Sequence, residues 1–104
     1  MKLSGMAVAA LLLAGTAMAA DYEVGQKNKS FTVKELTIKV GDTVRFTNQD
    51  DFFHNVFSLS DLKTFDLGSY PKGEFKSVTF DKPGKVEVEC AIHPSMMMTI
   101  NVEE

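Results

Sequence analysis

The residues best suited to bind a metal lie close together near the C-terminal end of the chain. Cys90, His93 and Met96 fall within seven residues, joined as Cys-Ala-Ile-His-Pro-Ser-Met. His54 lies 36 positions before Cys90, and it and His93 are the two histidines of the chain. Sulfur and imidazole donors favour soft and borderline metals. The sequence therefore offers the donors of one metal site from two distant segments.

One thiolate, two imidazoles and one thioether are the donor set of mononuclear copper centres that transfer single electrons. Four protein ligands leave no open position for water or substrate, which disfavours a hydrolytic or oxygenase centre. A cysteine enzyme that uses Cys90 as nucleophile and His93 as base is a further alternative. We rank it lowest because the chain offers little for a substrate cleft.

Alternating apolar and polar residues predict short β-strands. Five runs carry the inward-facing positions: Leu36, Ile38 and Val40; Val44 and Phe46; Val78 and Phe80; Val86, Val88 and Cys90; Met98, Ile100 and Val102. Turn signals separate these runs, and no long helical period interrupts them. The pattern predicts an all-β fold with a single domain, an antiparallel sandwich or barrel with Greek-key connections. The segment 58–75 is predicted to be a long loop or to contain a short strand.

The alternation also predicts where the donor atoms lie. Cys90 continues the inward face of Val88, so its sulfur is expected at the end of the core. Met96 shares the face of Met98 when the last strand is extended backward. A tight loop between them carries His93. The three donors are thus expected at one end of the sandwich.

The N-terminal segment has the features of an export signal. Lys2 is followed by an apolar run over 5–15 and by Ala17-Met18-Ala19, which fits the small-residue cleavage pattern. We expect residues 1–19 to be removed and 20–104 to form the domain. The apolar run is shorter than the ~20 residues of a membrane-spanning helix, so no span is expected in the mature protein. The net charge of −3 makes nucleic acid a poor partner.

In its metal-binding motifs the sequence resembles the cupredoxins, the blue-copper family that includes plastocyanins and amicyanins. The pair His54-Asn55 and the downstream Cys-x-x-His-x-x-Met loop match the family pattern. The short loop, with Pro directly after His93, is most similar to the amicyanin type. The resemblance implies that His54, Cys90, His93 and Met96 are copper ligands. It also implies that the Asn55 backbone donates to the cysteine sulfur, while its side chain ties two loops together.

Two positions depart from the family pattern. Many relatives have a hydroxyl residue after the ligand cysteine, where this chain has Ala91, so the tie to Asn55 is expected to be weaker. Met97 and Met98 follow Met96, so three methionines compete for the axial position. Strand parity favours Met96 or Met98, and the family spacing favours Met96.

The resulting functional hypothesis is an exported, periplasmic carrier of single electrons, monomeric and not an enzyme. Its partners would be redox proteins such as a cytochrome, an oxidase or a dehydrogenase, with electron exchange through His93. The alternative is a copper chaperone or scavenger that uses the methionine run as Cu(I) donors.

Two pairs of residues just before His54 are interpreted as structural features. Phe52 and Phe53 are expected to pack at the sandwich end, where one of them would screen the metal from water. The pair Asp50-Asp51 is interpreted as a solvated turn. If it lies near the copper end, it would steer a basic partner.

Overall fold

A computed structural model describes residues 18–104 of the chain, so the predicted export signal, except for its last two residues, lies outside the described part. All regular elements in this part are β-strands: β1 (Asp21–Lys27), β2 (Ser30–Phe31), β3 (Glu35–Lys39), β4 (Thr43–Asn48), β5 (His54–Ser58), β6 (Phe65–Tyr70), β7 (Phe75–Thr79), β8 (Gly84–Glu89) and β9 (Met97–Glu103). The residues described include no helix that is long and apolar enough to cross a membrane.

The strands form two sheets around one apolar core. One sheet has the order β2-β1-β4-β7, and the other has the order β3-β9-β8-β5-β6. Alternate residues of both sheets are buried between them, including Val24, Ile38, Val44, Phe46, Val78, Phe80, Val86, Val88, Ile100 and Val102. The predicted all-β, single-domain sandwich is confirmed, and the five predicted strand runs supply most of its core.

The sheets are mixed rather than wholly antiparallel. β1 runs parallel to β4, and β3 runs parallel to β9, whereas the other strand pairs are antiparallel. The expectation of an antiparallel sandwich was therefore wrong for these two pairs. Residue alternation identifies the buried face of a strand but carries no information about the direction of its neighbour.

The segment 58–75 contains a strand, β6, in its second half. β6 pairs with β5, and the register shifts by one residue between Asn55 and Phe57. The extra residue lies on β6, where Gly68 adopts a φ of 75°, a conformation that glycine adopts readily. Only Tyr70 of this strand is buried, so the sequence shows no clean alternation there.

The pairing of β5 with β8 determines where the candidate donors meet. The two strands are antiparallel, with Phe57 opposite Glu89. The beginning of β5 therefore lies beside the end of β8. His54 opens β5 and Cys90 directly follows β8, so both reach the same end of the sandwich.

Asp42 lies in the turn between β3 and β4 and connects this turn to the end of β3 and to the segment before β1. Its carboxylate accepts hydrogen bonds from the backbone N–H of Ala20 and of Lys39, both at 2.8 Å. The backbone N–H of Thr43 in turn donates to the carbonyl of Ala20 at 3.0 Å. These bonds from Ala20 and Lys39 hold the pKa of the Asp42 carboxyl below its ordinary value of 3.8.

Replacing Asp42 by Asn should lower the melting temperature of the 20–104 domain at neutral pH. A carboxyl with a lowered pKa in the folded state stabilises the fold above its unfolded pKa, and this contribution is lost as the pH falls through the folded-state value. The deficit of Asp42→Asn should therefore shrink as the pH drops below 3.8. Thermal unfolding across pH measures it. Asp81→Asn, at an exposed ion pair with Lys63, is the control and should change little. A pH-independent deficit would contradict the assignment.

Candidate metal centre

His54 and Cys90 meet in the interior of the protein. The His54 side chain is fully buried, and Cys90 is 1% exposed. The sulfur of Cys90 lies 3.8 Å from Nδ1 of His54. The antiparallel neighbours β5 and β8 thus bring together two donors that are 36 positions apart.

His93 completes a cluster of three donors. It lies in the loop between β8 and β9, and its Nδ1 is 3.2 Å from Nδ1 of His54. One donor atom from each of His54, Cys90 and His93 lies within 4.8 Å of the other two. Both imidazoles present Nδ1 to the same point, beside the thiol. Donor atoms this close are able to bind one ion together.

Met96 closes the loop on the buried side. Its backbone N–H donates to the carbonyl of His93 at 2.9 Å, which makes the loop a tight turn. Met96 is buried, and the β8–β9 register, with Glu89 opposite Met97, places it next in line opposite Cys90. Met98 pairs with Val88, farther from the end of the sandwich. This register favours Met96 over Met98 as the fourth donor.

Asn55 connects β5 to the loop that carries the other donors. Its side-chain oxygen accepts a hydrogen bond from the backbone N–H of Ala91 at 2.7 Å. Its amide group donates to Asp66 at 3.2 Å. Because the loop side of this tie is a backbone group, it requires no hydroxyl side chain at position 91.

Asp50 belongs to the site, although the sequence pattern indicated a solvated turn. It is only 8% exposed, and its Oδ2 lies 2.7 Å from Nε2 of His54. Burial raises the pKa of Asp50, but hydrogen bonds from His54, Lys29 and Asn28 outweigh it and bring the pKa below the ordinary value. An ionised carboxylate only accepts, so Nε2 of His54 donates in this contact, and Nδ1 is left facing Cys90 and His93.

Asp51 behaves as the sequence predicted for both residues of the pair. Its carboxylate is exposed and forms an ion pair with Lys72 at 2.9 Å. Of the two aspartates, Asp51 is therefore the one that could steer a basic partner, and its charge is already paired with Lys72. The signal that sequence reasoning missed is the spacing, because Asp50 stands four residues before His54 in a loop that returns on itself.

Phe52 covers the two imidazoles. Its ring centroid lies 5.3 Å from that of His54 and 5.3 Å from that of His93. The ring therefore lies between part of the cluster and the solvent, as expected for a screening residue.

Burial lowers the pKa of His93, and the nearby His54 and Lys29 act in the same direction.

The outer surface around His93 is apolar. His93 itself is partly exposed, and Ile92 and Pro94 on either side of it are exposed. Met97 is 50% exposed and Phe53 is 53% exposed. The site thus has a buried side, formed by His54, Cys90 and Met96, and an apolar side that faces solvent.

The donor set fits copper. It combines sulfur donors that suit Cu(I) with imidazole nitrogens that suit both oxidation states. The carboxylate at the site is already hydrogen-bonded to a histidine and to the backbone, so it acts as a support for a ligand.

Comparison with known proteins agrees with this geometry. The family model for copper binding proteins of the plastocyanin/azurin family matches residues 18–103. The methylamine utilization protein MauL of Methylorubrum extorquens is 31% identical over 87 residues, which cover 83% of this chain and 76% of MauL. The chloroplastic plastocyanin of Physcomitrium patens is 34% identical over 98 residues, 84% of this chain and 58% of that protein.

Solved structures give the same fold. The Cu(I) form of an amicyanin variant is similar with a TM-score of 0.75 and 27% identity, covering 80% of this chain and 82% of amicyanin. The copper-containing nitrite reductase of Thermus scotoductus is similar with a TM-score of 0.75 and 33% identity. That match covers 81% of this chain but only 22% of the reductase.

Replacing Asn55 by Ala should destabilise the copper-free protein by about 1–3 kcal/mol, because the Ala91 N–H then loses its acceptor. Chemical denaturation measures the loss. Asn101→Ala is a matched control, since Asn101 donates to Glu35 at an exposed position and should change stability by no more than about 0.5 kcal/mol. Equal effects of the two substitutions would show that Asn55 does not tie the loop.

Proposed function

The chain belongs to the plastocyanin/azurin family of copper-binding proteins, and on that premise we propose that it is an exported one-electron carrier with a type 1 copper centre. Its proposed ligands are His54, Cys90, His93 and Met96. The observation that carries the proposal is the convergence of the His54, Cys90 and His93 donors within 4.8 Å at one end of the sandwich.

Bound copper supplies the redox chemistry by alternating between Cu(II) and Cu(I). The protein holds the donors in place for both states. His54 and Cys90 are fixed at the ends of neighbouring strands, and Asn55 ties the ligand loop to β5. Phe52 limits the access of water. A site whose ligands are fixed in this way requires little rearrangement when the electron arrives or leaves.

His93 is the proposed route for the electron. It is the partly exposed member of the cluster, whereas His54 and Cys90 are buried. The exposed Ile92, Pro94 and Met97 give its surroundings an apolar surface that suits small, transient contacts. The proposed partners are redox proteins of the cytochrome, oxidase or dehydrogenase class, and the carrier acts as a monomer without enzymatic activity.

Export follows from the N-terminal signal pattern. Residues 1–19 are the proposed signal, and the mature domain begins at residue 20, with the periplasm as its location. A lone cysteine in an oxidising compartment is unusual, because such compartments favour disulfides. Metal ligation by Cys90 gives this thiol a role.

Two alternatives are less well supported. A copper chaperone or scavenger would expose the methionine donors of the run 96–98, but Met96 and Met98 are buried and Met97 alone of these three is exposed. A cysteine enzyme requires an accessible nucleophile, whereas Cys90 is 1% exposed.

Adding Cu(II) to the copper-free protein should produce an intense thiolate-to-copper visible band and a reversible one-electron couple. Absorption spectroscopy and voltammetry measure these. Cys90→Ser should abolish the band because the thiolate is lost, while the domain stays folded with a loss of at most about 1–3 kcal/mol. A colourless protein that retains only Cu(I) would favour the chaperone.

Replacing Met96 by Leu should leave copper bound and raise the reduction potential. Loss of the Met96 thioether would weaken the binding of Cu(II) more than that of Cu(I). Voltammetry of the loaded variant measures the shift. Met98→Leu is the matched control, because Met98 is equally buried but pairs with Val88. A shift with Met98→Leu alone would mean that the ligand register is wrong.

A further inference from the structure

We infer that Asp50 is a positioning residue for the copper ligand His54, and that the turn between β1 and β2 holds Asp50 in place. This turn contributes no metal donor and lies in the other sheet from His54. The inference rests on the proposed function for its effect on copper. The hydrogen bonds on which it depends are all made between groups of the protein itself.

The contact between Asp50 and His54 is short and shielded from water. Oδ2 of Asp50 is 2.7 Å from Nε2 of His54, whose side chain is fully buried. With Nε2 turned toward Asp50, Nδ1 faces Cys90 and His93. Asp50 therefore selects the tautomer and the ring orientation that metal binding requires.

The β1–β2 turn supplies two further donors to the same carboxylate. Lys27 pairs with Ser30, which leaves Asn28 and Lys29 as a two-residue loop. Their φ angles are 56° and 58°, as expected for a hairpin turn whose two central residues are left-handed. The N–H of Asn28 donates to Oδ1 of Asp50 at 2.7 Å. The N–H of Lys29 donates to Oδ2 at 3.0 Å.

Asn48 fixes the backbone of the loop that carries Asp50. Its side-chain oxygen accepts from the N–H of Asp50 at 2.8 Å. Its amide group donates to the carbonyls of Phe52, at 2.8 Å, and Tyr70, at 2.9 Å. The Asn48 side chain thus holds the loop between β4 and β5 in its fold. Asn48 fixes the backbone of Asp50, and the β1–β2 turn fixes its carboxylate.

These contacts have a consequence for the metal. A negative charge hydrogen-bonded to a ligand imidazole makes the imidazole a stronger donor, and it favours the more highly charged Cu(II). The same charge at Asp51 has no contact with a ligand, because it pairs with Lys72 at the surface. Asp51 therefore provides a control with the same chemistry one position away.

The first experiment uses copper-free protein and NMR of the histidine side chains. In the native protein, the Nε2 proton of His54 should be observed and should exchange slowly with solvent. Asp50→Asn should accelerate this exchange at least tenfold, whereas Asp51→Asn should leave it unchanged. An unchanged signal in Asp50→Asn would overturn the inference. This readout does not depend on copper, so it stands even if the proposed electron-carrier function fails.

The second experiment measures metal binding. Asp50→Asn should lower the affinity for Cu(II) about 10–100-fold. The affinity for Cu(I) should fall less, so the reduction potential should rise. Asp51→Asn should change neither quantity. Equal shifts for both variants would mean that the charge acts through space alone, which would overturn the positioning role.

A pair of substitutions at Lys29 tests the turn without altering Asp50. Lys29→Gly removes the side chain but favours the left-handed conformation, whereas Lys29→Val removes the same charge and opposes that conformation. Lys29→Val should accelerate exchange of the His54 Nε2 proton and reduce Cu(II) affinity, in the same direction as Asp50→Asn. Lys29→Gly should keep the slow exchange. Identical behaviour of the two variants would overturn the role of the turn.

Discussion

The site depends on the antiparallel contact between β5 and β8. Because these strands run in opposite directions, the first residue of one and the residue after the other lie at the same end of the sandwich. His54 and Cys90 are thus close for reasons of backbone pairing. The β8–β9 register ends with Glu89 opposite Met97, so the residues next to this pair, Cys90 and Met96, lie at the same end of the two strands. Had β5 been paired parallel to β8, the two donors would lie at opposite ends of the molecule.

The two histidines have different surroundings, and the difference suits different tasks. His54 is buried, hydrogen-bonded through Nε2 to Asp50 and covered by Phe52. His93 is partly exposed within an apolar surface and lies in the loop between β8 and β9, which Met96 closes with a backbone hydrogen bond. One imidazole holds the site against the core, and the other connects it to the outside. The proposed function as an electron carrier requires both a fixed interior and a short path to a partner.

The sequence predicted the parts of this arrangement that depend on local pattern. Alternation identified the buried faces that end at Cys90 and begin near Met98, and the spacing of Cys90, His93 and Met96 predicted the donors. It did not predict that β1 and β3 have parallel neighbours, because alternation is the same for both directions. It allowed a short strand within 58–75 but could not give its bounds, because the residues of β6 are mostly exposed or half-buried. Asp50 was misassigned because an Asp-Asp pair after a strand is usually a solvated turn.

The burial of Asp50 follows from the way three segments converge on its carboxylate. Burying an ionised group is unfavourable unless other groups replace the hydrogen bonds of water. Asn28 and Lys29 come from one sheet and His54 comes from the other, so the required donors are assembled only when the sandwich has closed. The two left-handed turn residues are the local sign of this constraint, since neither is glycine. The hydrogen bond that we propose to orient His54 is therefore part of a contact between the two sheets, which explains why it cannot be recognised in either segment alone.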